Sequence, residues 1–218
     1  MERAIEVLMG EHRLIEQALG SLETYAVEIR AGAPVLRDVI ADYAAFLRGF
    51  ADELHHGKEE DILFQRLIDR GFAREAGPLA VMYHEHELGR SHVRGLSACA
   101  ASPDDIDARV VLCHADAYVP LLRQHILKED RILYPMALQV LTSPELDAMN
   151  TEFEVFDRRM NAIGARDQLQ ALADRLTGRF RPAGPVRMTA PPPTCARVAG
   201  PHSEPHDDRH TPRSGRMG

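Results

Sequence analysis

Four histidines and two glutamates at restrained spacing have the clearest capacity for chemistry in this 218-residue chain. The string HHGKEEDILF pairs His56 with Glu60, and HILKEDRILY pairs His125 with Glu129. On a helix a spacing of four sets two side chains beside each other, about 6 Å apart at Cβ, where both can reach one ion. His12 in VLMGEHRLI and His86 in VMYHEHELGR each add a lone imidazole on an apolar stripe. In order the chain reads His, HxxxE, His, HxxxE. From His12 to His56 is 44 residues and from His86 to His125 is 39, which makes the ligand arrangement pseudo-two-fold.

Six ligands exceed the four that a structural zinc takes. They suit two octahedral ions, with each Glu able to bridge the pair. Mixed imidazole and carboxylate donors favour iron or manganese, with zinc as a possible substitute. Two divalent ions carry more charge than two glutamates cancel, and the surplus invites a bridging oxo or hydroxo group or a bound anionic oxygen species. A single HxxxE is often a surface ion pair of about 0.2–0.5 kcal/mol. The metal reading rests on two such pairs with two matched single histidines.

Neighbouring residues are assigned lesser roles. His55 and Glu59 are also four apart, but on a regular α-helix they point about 100° away from the His56 face, so an outer or surface position is expected. His84 falls about 200° around the helix from His86 and is expected in solvent, while His114 sits roughly 16 Å along the axis from His125. The carboxylates at 59, 61 and 130 are expected to orient imidazoles. Cys99 and Cys113 are read as small core residues, and no disulfide framework or Cys zinc motif is evident.

The elements holding these residues are predicted to be helical. Aromatics make up 6% of the chain, Trp is absent, and long stretches of Ala, Leu, Glu and Arg lack β-branched clusters. Breakers divide the chain into helices over about 2–30, 35–70, 77–100 and 103–141, with Gly32 and Gly71 as stops and Ser102 and Pro103 opening the fourth. Pro120 and Pro135 are expected to kink that helix. A shorter helix opens at Ser143, and a last segment ends near Thr177. Short loops between long helices imply an all-α, antiparallel up-down-up-down four-helix bundle with extra C-terminal helices.

Residues 1–177 are thus assigned to the bundle and 178–218 to a disordered Pro-rich tail, which holds eight of the 14 prolines and lacks apolar periodicity. The tail has seven Arg against three Asp or Glu, a net of +4, so the chain total of −7 leaves −11 on the folded part. Such acidity argues against nucleic acid as a partner. His202, His206 and His210 recur every four residues in the tail, without a fold to hold them. No apolar run of signal-peptide or membrane-span length is present, so the protein is expected to be cytoplasmic.

With the strings HHGKEEDILF, HEHELGR and HILKEDRILYPMA, residues 1 to about 165 resemble the hemerythrin-like family, in particular its bacterial cation-binding branch with the pattern H…HxxxE…H…HxxxE. The resemblance implies a non-haem di-iron centre on His12, His56, Glu60, His86, His125 and Glu129, with Asp130 as the alternative to Glu129 because oxygen-carrying members have Asp five residues after the His125 position. It also implies binding, sensing or reduction of dioxygen, peroxide or nitric oxide, with catalase-like turnover as the enzymatic version. Oxygen-carrying members have a histidine one turn before the His86 position. Here that residue is Met82, which shifts the expectation from carrying oxygen toward reacting with it or sensing it. The alternatives are a metal- or oxygen-responsive regulatory module, and iron storage or delivery including iron–sulfur cluster repair.

Overall fold

The computed structural model describes residues 3–161 and 165–183. The Pro-rich segment from 184 onward, with Cys195, His202, His206 and His210, lies outside the described residues. All regular elements among the described residues are helical. They are α1 (Arg3–Arg30), α2 (Arg37–Phe46), α3 (Phe64–Asp69), α4 (Gly77–Ala101), α5 (Ala108–Lys128), α6 (Tyr134–Val140), α7 (Ser143–Asn161) and α8 (Ala165–Arg179). Three π-helical stretches interrupt this series: π1 (Leu47–His56) and π2 (Glu59–Leu63) between α2 and α3, and π3 (Glu129–Leu133) between α5 and α6. None of the helices is long and apolar enough to cross a membrane.

Gly32 and Gly71 end their helices in the left-handed region, at φ +98° and +93°, where a side chain would be strained. Behind them the Ala33 N–H donates to the Glu28 carbonyl and the Phe72 N–H to the Leu67 carbonyl, both at 3.0 Å. The fourth long helix begins later than its Ser-Pro signal suggests. Ser102 Oγ closes only a local turn with the Asp104 N–H at 3.3 Å, and the cap is Asp107, whose Oδ1 accepts from the Arg109 N–H at 2.8 Å. Arg37 ties the intervening loop to the end of α4 by donating to the carbonyls of Ala100 and Asp104.

Side-chain pairs give the relative direction of the long elements. Asp130 meets His12 while Asp116 meets Arg30, so α1 and α5 run in opposite senses. His86 lies near His125 and His92 near His114, which sets α4 against α5 in the same way. Arg37 reaches Ala100 whereas Glu60 reaches His86, so α4 also opposes the α2–π1–π2 run.

The buried apolar side chains form two layers. One, around Leu19, Tyr43, Phe50, Leu96, Tyr118 and Leu122, fills the end toward the α1–α2 turn. The other, around Leu8, Phe64, Leu79, Met82, Tyr134 and Met149, fills the opposite end. Between them lies a buried polar layer of Glu11, His12, His55, His56, Lys58, Glu59, His86, His125 and Glu129, each at most 4% exposed.

Three glycines admit the C-terminal elements. A Cβ at Gly57 would lie 2.9 Å from Phe156, one at Gly49 2.9 Å from Leu169, and one at Gly20 2.9 Å from Pro182. Phe180 is buried against Tyr25, with ring centroids 4.5 Å apart. Packed structure therefore extends past the boundary expected at 177 and reaches Ala183, whose N–H donates to Thr24 Oγ1 at 3.3 Å. No apolar periodicity signals this, because the segment docks through isolated residues rather than a continuous face.

Candidate metal centre

The polar layer contains two groups of side chains whose ligand atoms lie within 4.8 Å of one another: His56, Glu59, His86 and His125, and His12, His55, Glu59 and Glu129. Glu59 belongs to both. Glu129 also spans them, with Oε1 3.2 Å from His125 Nε2 and Oε2 3.3 Å from His12 Nε2. His12, His56, His86, His125 and Glu129 are thus brought together in the layer where they were expected.

Glu60 is not, and its expected place is taken by Glu59. The Glu60 Oε1 atom accepts from His86 Nδ1 at 2.6 Å and from Arg90 at 2.7 Å, outside both groups. His55, assigned to an outer position from the sequence, is buried within the second group. Both corrections have one cause. On a regular α-helix adjacent residues diverge by about 100°, so His55 and His56 cannot share a face. Along π1 and π2 the wider i→i+5 turn reduces that rotation, and both imidazoles turn inward with Glu59 following.

A signal for this register was present in the sequence. His55, Lys58, Glu59 and Glu60 align with His125, Lys128, Glu129 and Asp130 as one repeated HxxKE pattern with an acid after it. That alignment sets Glu59 opposite Glu129 and leaves His56 as the unmatched histidine. Of the other neighbours, His84 and Asp61 are exposed, and His114 lies 3.3 Å from His92 at their Nδ1 atoms, away from the centre.

The histidines are held from behind by carboxylates. Nδ1 of His12 meets Asp130 at 2.7 Å, that of His55 meets Glu11 at 3.1 Å, that of His86 meets Glu60 at 2.6 Å and that of His125 meets Glu85 at 3.1 Å. His56 Nδ1 lies 3.5 Å from Asp52. Each carboxylate is in turn paired with a cation: Asp130 with Arg13, Glu11 with Lys58, Asp52 and Glu60 with Arg90, and Glu85 with Lys128. A carboxylate at Nδ1 fixes the proton there and leaves the Nε2 lone pair facing the centre.

The inward atoms are short of hydrogens. His55 Nε2, His56 Nε2, Glu59 Oε2 and both Glu129 oxygens are buried without a hydrogen-bond partner, and the Nε2 atoms of His86 and His125 face each other at 3.0 Å. An unsatisfied buried polar atom costs about 1–3 kcal/mol, so a layer of lone pairs is a costly way to fill a core. It is the donor set that a cation requires, and these residues fit a pair of metal ions.

Without metal, protons do part of that work. Burial opposes charge on His12, but its hydrogen bond to Asp130 and the Glu129 carboxylate 3.3 Å away outweigh this and hold its pKa up at about 9. His125 likewise overcomes burial, through Glu129 and Glu85, and rises to about 10. Burial lowers His56 to about 4 and pushes His55 and His86 well below the ordinary range. Burial and the neighbouring Glu129 charge push the Glu59 carboxyl well up, while His125 and His12 overcome burial to hold Glu129 well down.

A pH prediction follows. Two histidines whose folded pKa values exceed the unfolded value of about 6.5 stabilise the metal-free fold fully below that pH and lose the contribution above it. Denaturant unfolding of chelator-treated protein should therefore show stability falling, by on the order of a few kcal/mol, as pH rises through 9 to 10. A flat profile would contradict these assignments.

A family model described as Hemerythrin HHE cation binding domain matches residues 3–137. Uncharacterized proteins from Mycobacterium bovis and Mycobacterium tuberculosis are each 24% identical to the chain over 179 residues, covering 78% of it and 68% of their own length. No solved structure matches the chain.

Proposed function

The chain belongs to the hemerythrin HHE cation-binding domain family, and on that footing we propose that it is an up-down-up-down four-helix bundle holding two iron ions that engage dioxygen, peroxide or nitric oxide. The observation that carries the reading is the layer of five Nε2 atoms and two carboxylates, each imidazole backed by its own carboxylate. In this assignment His56, His86 and His125 would hold one ion, His12 and His55 would hold the other, and Glu59 and Glu129 would supply carboxylate oxygens to the pair. The opposed helix pairs support the topology.

Bound iron supplies redox chemistry at positions the protein donors leave open. The protein's own residues supply the rest. The apolar layers around Phe64 and Leu122 keep bulk water from the donors. Tyr134 donates its hydroxyl proton to Glu59 Oε1 at 2.6 Å and lies 3.3 Å from His12 Nε2. A phenol proton therefore stands beside the group with one imidazole fewer. Carboxylates hold the Nδ1 atoms of His12, His55, His86 and His125 and so fix the orientation of those four rings.

A cavity of about 340 Å³ bordered by His56, Gly89, Arg90 and Tyr118 adjoins the centre. We assign it as the entry for small molecules. A Cβ at Gly89 would already lie 3.4 Å from Tyr118, so Gly89→Phe should fill the opening. Stopped-flow mixing of the iron-loaded variant with peroxide should show a slowed reaction with two irons retained; an unchanged rate would move the entry elsewhere.

The reading is tested by anaerobic iron loading followed by absorption spectroscopy with dioxygen, peroxide and nitric oxide in turn. A spectral change with at least one of them is expected, and oxygen evolved from peroxide would identify catalase-like turnover. A spectrum indifferent to all three would sink the redox reading. Retention of far more than two irons per chain would replace it with storage.

A further inference from the structure

We infer that the α7–α8 hairpin, which lies outside the region matched by the family, is a positioning clamp for the ion held by His12 and His55. The inference rests on the two-ion reading above.

The two halves of the centre are built alike up to one point. Glu11 supports His55 and is paired with Lys58, just as Glu85 supports His125 and is paired with Lys128. Lys128 remains about one third exposed and has no second carboxylate among the described residues. Lys58 is fully buried, and its ammonium also donates to Asp157 on α7 at 3.1 Å, with the Phe153 ring 5.6 Å away. Arg166 on α8 pairs with Asp157 and approaches Glu11 Oε1 at 3.7 Å.

One continuous chain of charge thus runs from α8 and α7 through Lys58 and Glu11 to His55 Nδ1. Gly57 lets Phe156 press onto the turn that carries His55. The consequence is directional. A carboxylate behind a ligand imidazole fixes ring orientation, and loss of such support typically costs about 10–100-fold in metal affinity. Removing the α7–α8 contribution loosens Glu11 and His55 while leaving His56, His86 and His125 with their own carboxylates. Linkage makes the effect reciprocal: an ion at His12 and His55 tightens the docking of α7–α8. Metal occupancy is thereby transmitted to the C-terminal part of the chain.

The test is a cobalt(II) titration of the full chain against a competing chelator, followed by visible absorption, on wild-type protein, Asp157→Asn/Arg166→Gln and Arg66→Ala. Wild-type protein should take up two equivalents; fewer overturns the two-ion reading and this inference with it. The double variant should bind the first equivalent as wild type does and the second about 10–100-fold more weakly. Arg66→Ala removes a different α7 contact, the pair with Glu152, and should leave both affinities unchanged. Hydrogen exchange in α7–α8 should slow on loading in wild type and not in the double variant. Two unchanged affinities in the double variant overturn the clamp, as does equal weakening of both equivalents or the same loss in Arg66→Ala. If the double variant fails to fold, Arg166→Gln alone, at a partly exposed position, carries the same comparison with a smaller shift.

Discussion

Glu59→Gln should leave the metal-free fold standing and abolish binding of two ions, whereas Glu60→Gln should retain both. In the absence of metal, burial and the Glu129 charge disfavour ionisation of the Glu59 carboxyl, so a neutral amide of the same shape is expected to fit its surroundings. The Tyr134 hydroxyl still finds a carbonyl oxygen to accept its proton. Stability of the chelated protein should change by no more than about 1 kcal/mol. Metal binding is another matter, because an amide cannot offer the charge that two cations share. Metal ordinarily stabilises the fold by about 4 kcal/mol at a thousandfold excess over Kd, and that gain should vanish. The Glu60 carboxylate accepts from His86 Nδ1 and Arg90, outside both groups, so its loss should weaken affinity by about 10–100-fold while leaving two ions bound. Thermal unfolding with and without metal reads both variants, and the opposite ranking would restore Glu60 as the ligand.

Glu129→Gln should behave in the reverse way in the metal-free protein and destabilise it strongly. His12 and His125 hold the Glu129 carboxyl ionised, and it in turn holds both imidazoles protonated. Neutralising Glu129 removes what holds those protons, so the imidazoles must either give them up or stay charged in a layer with no exposure to water. Breaking a buried pair in this way typically costs about 3–5 kcal/mol. Because wild-type protein has this charge pairing only while His12 and His125 are protonated, its advantage over the variant should shrink above pH 10, where both wild-type imidazoles lose their protons. Denaturant unfolding of chelated Glu129→Gln at neutral and high pH measures this. A loss as small as that of Glu59→Gln would show that the two glutamates are not differently charged.

The contrast between Glu59 and Glu129 also shows what the sequence made legible. Helix ends marked by Gly32 and Gly71 follow from local backbone energetics and can be read from short strings. His12, His86 and His125 are readable as well, since each lies on a helical stretch where period 3.6 holds. The His55–Glu60 segment is not, because the π register depends on tertiary packing at both ends of the polar layer. Only the repeated HxxKE pattern hints at it.

The carboxylates behind the imidazoles were partly hidden for another reason. Glu11 and Glu85 sit immediately before His12 and His86, yet they serve His55 and His125 on neighbouring helices. Sequence adjacency names the wrong partner. The tail boundary misplaced at 177 has the same character, since Phe180 and Pro182 dock on Tyr25 and Gly20 far upstream.

The most direct measurement of the central claim is equilibrium dialysis of chelator-stripped wild-type protein against anaerobic iron(II), with metal and protein counted in the same sample. Five imidazoles and two shared carboxylates predict saturation at two ions per chain, falling below two in Glu59→Gln. Saturation at one ion, or two ions retained without Glu59, would contradict the paired centre.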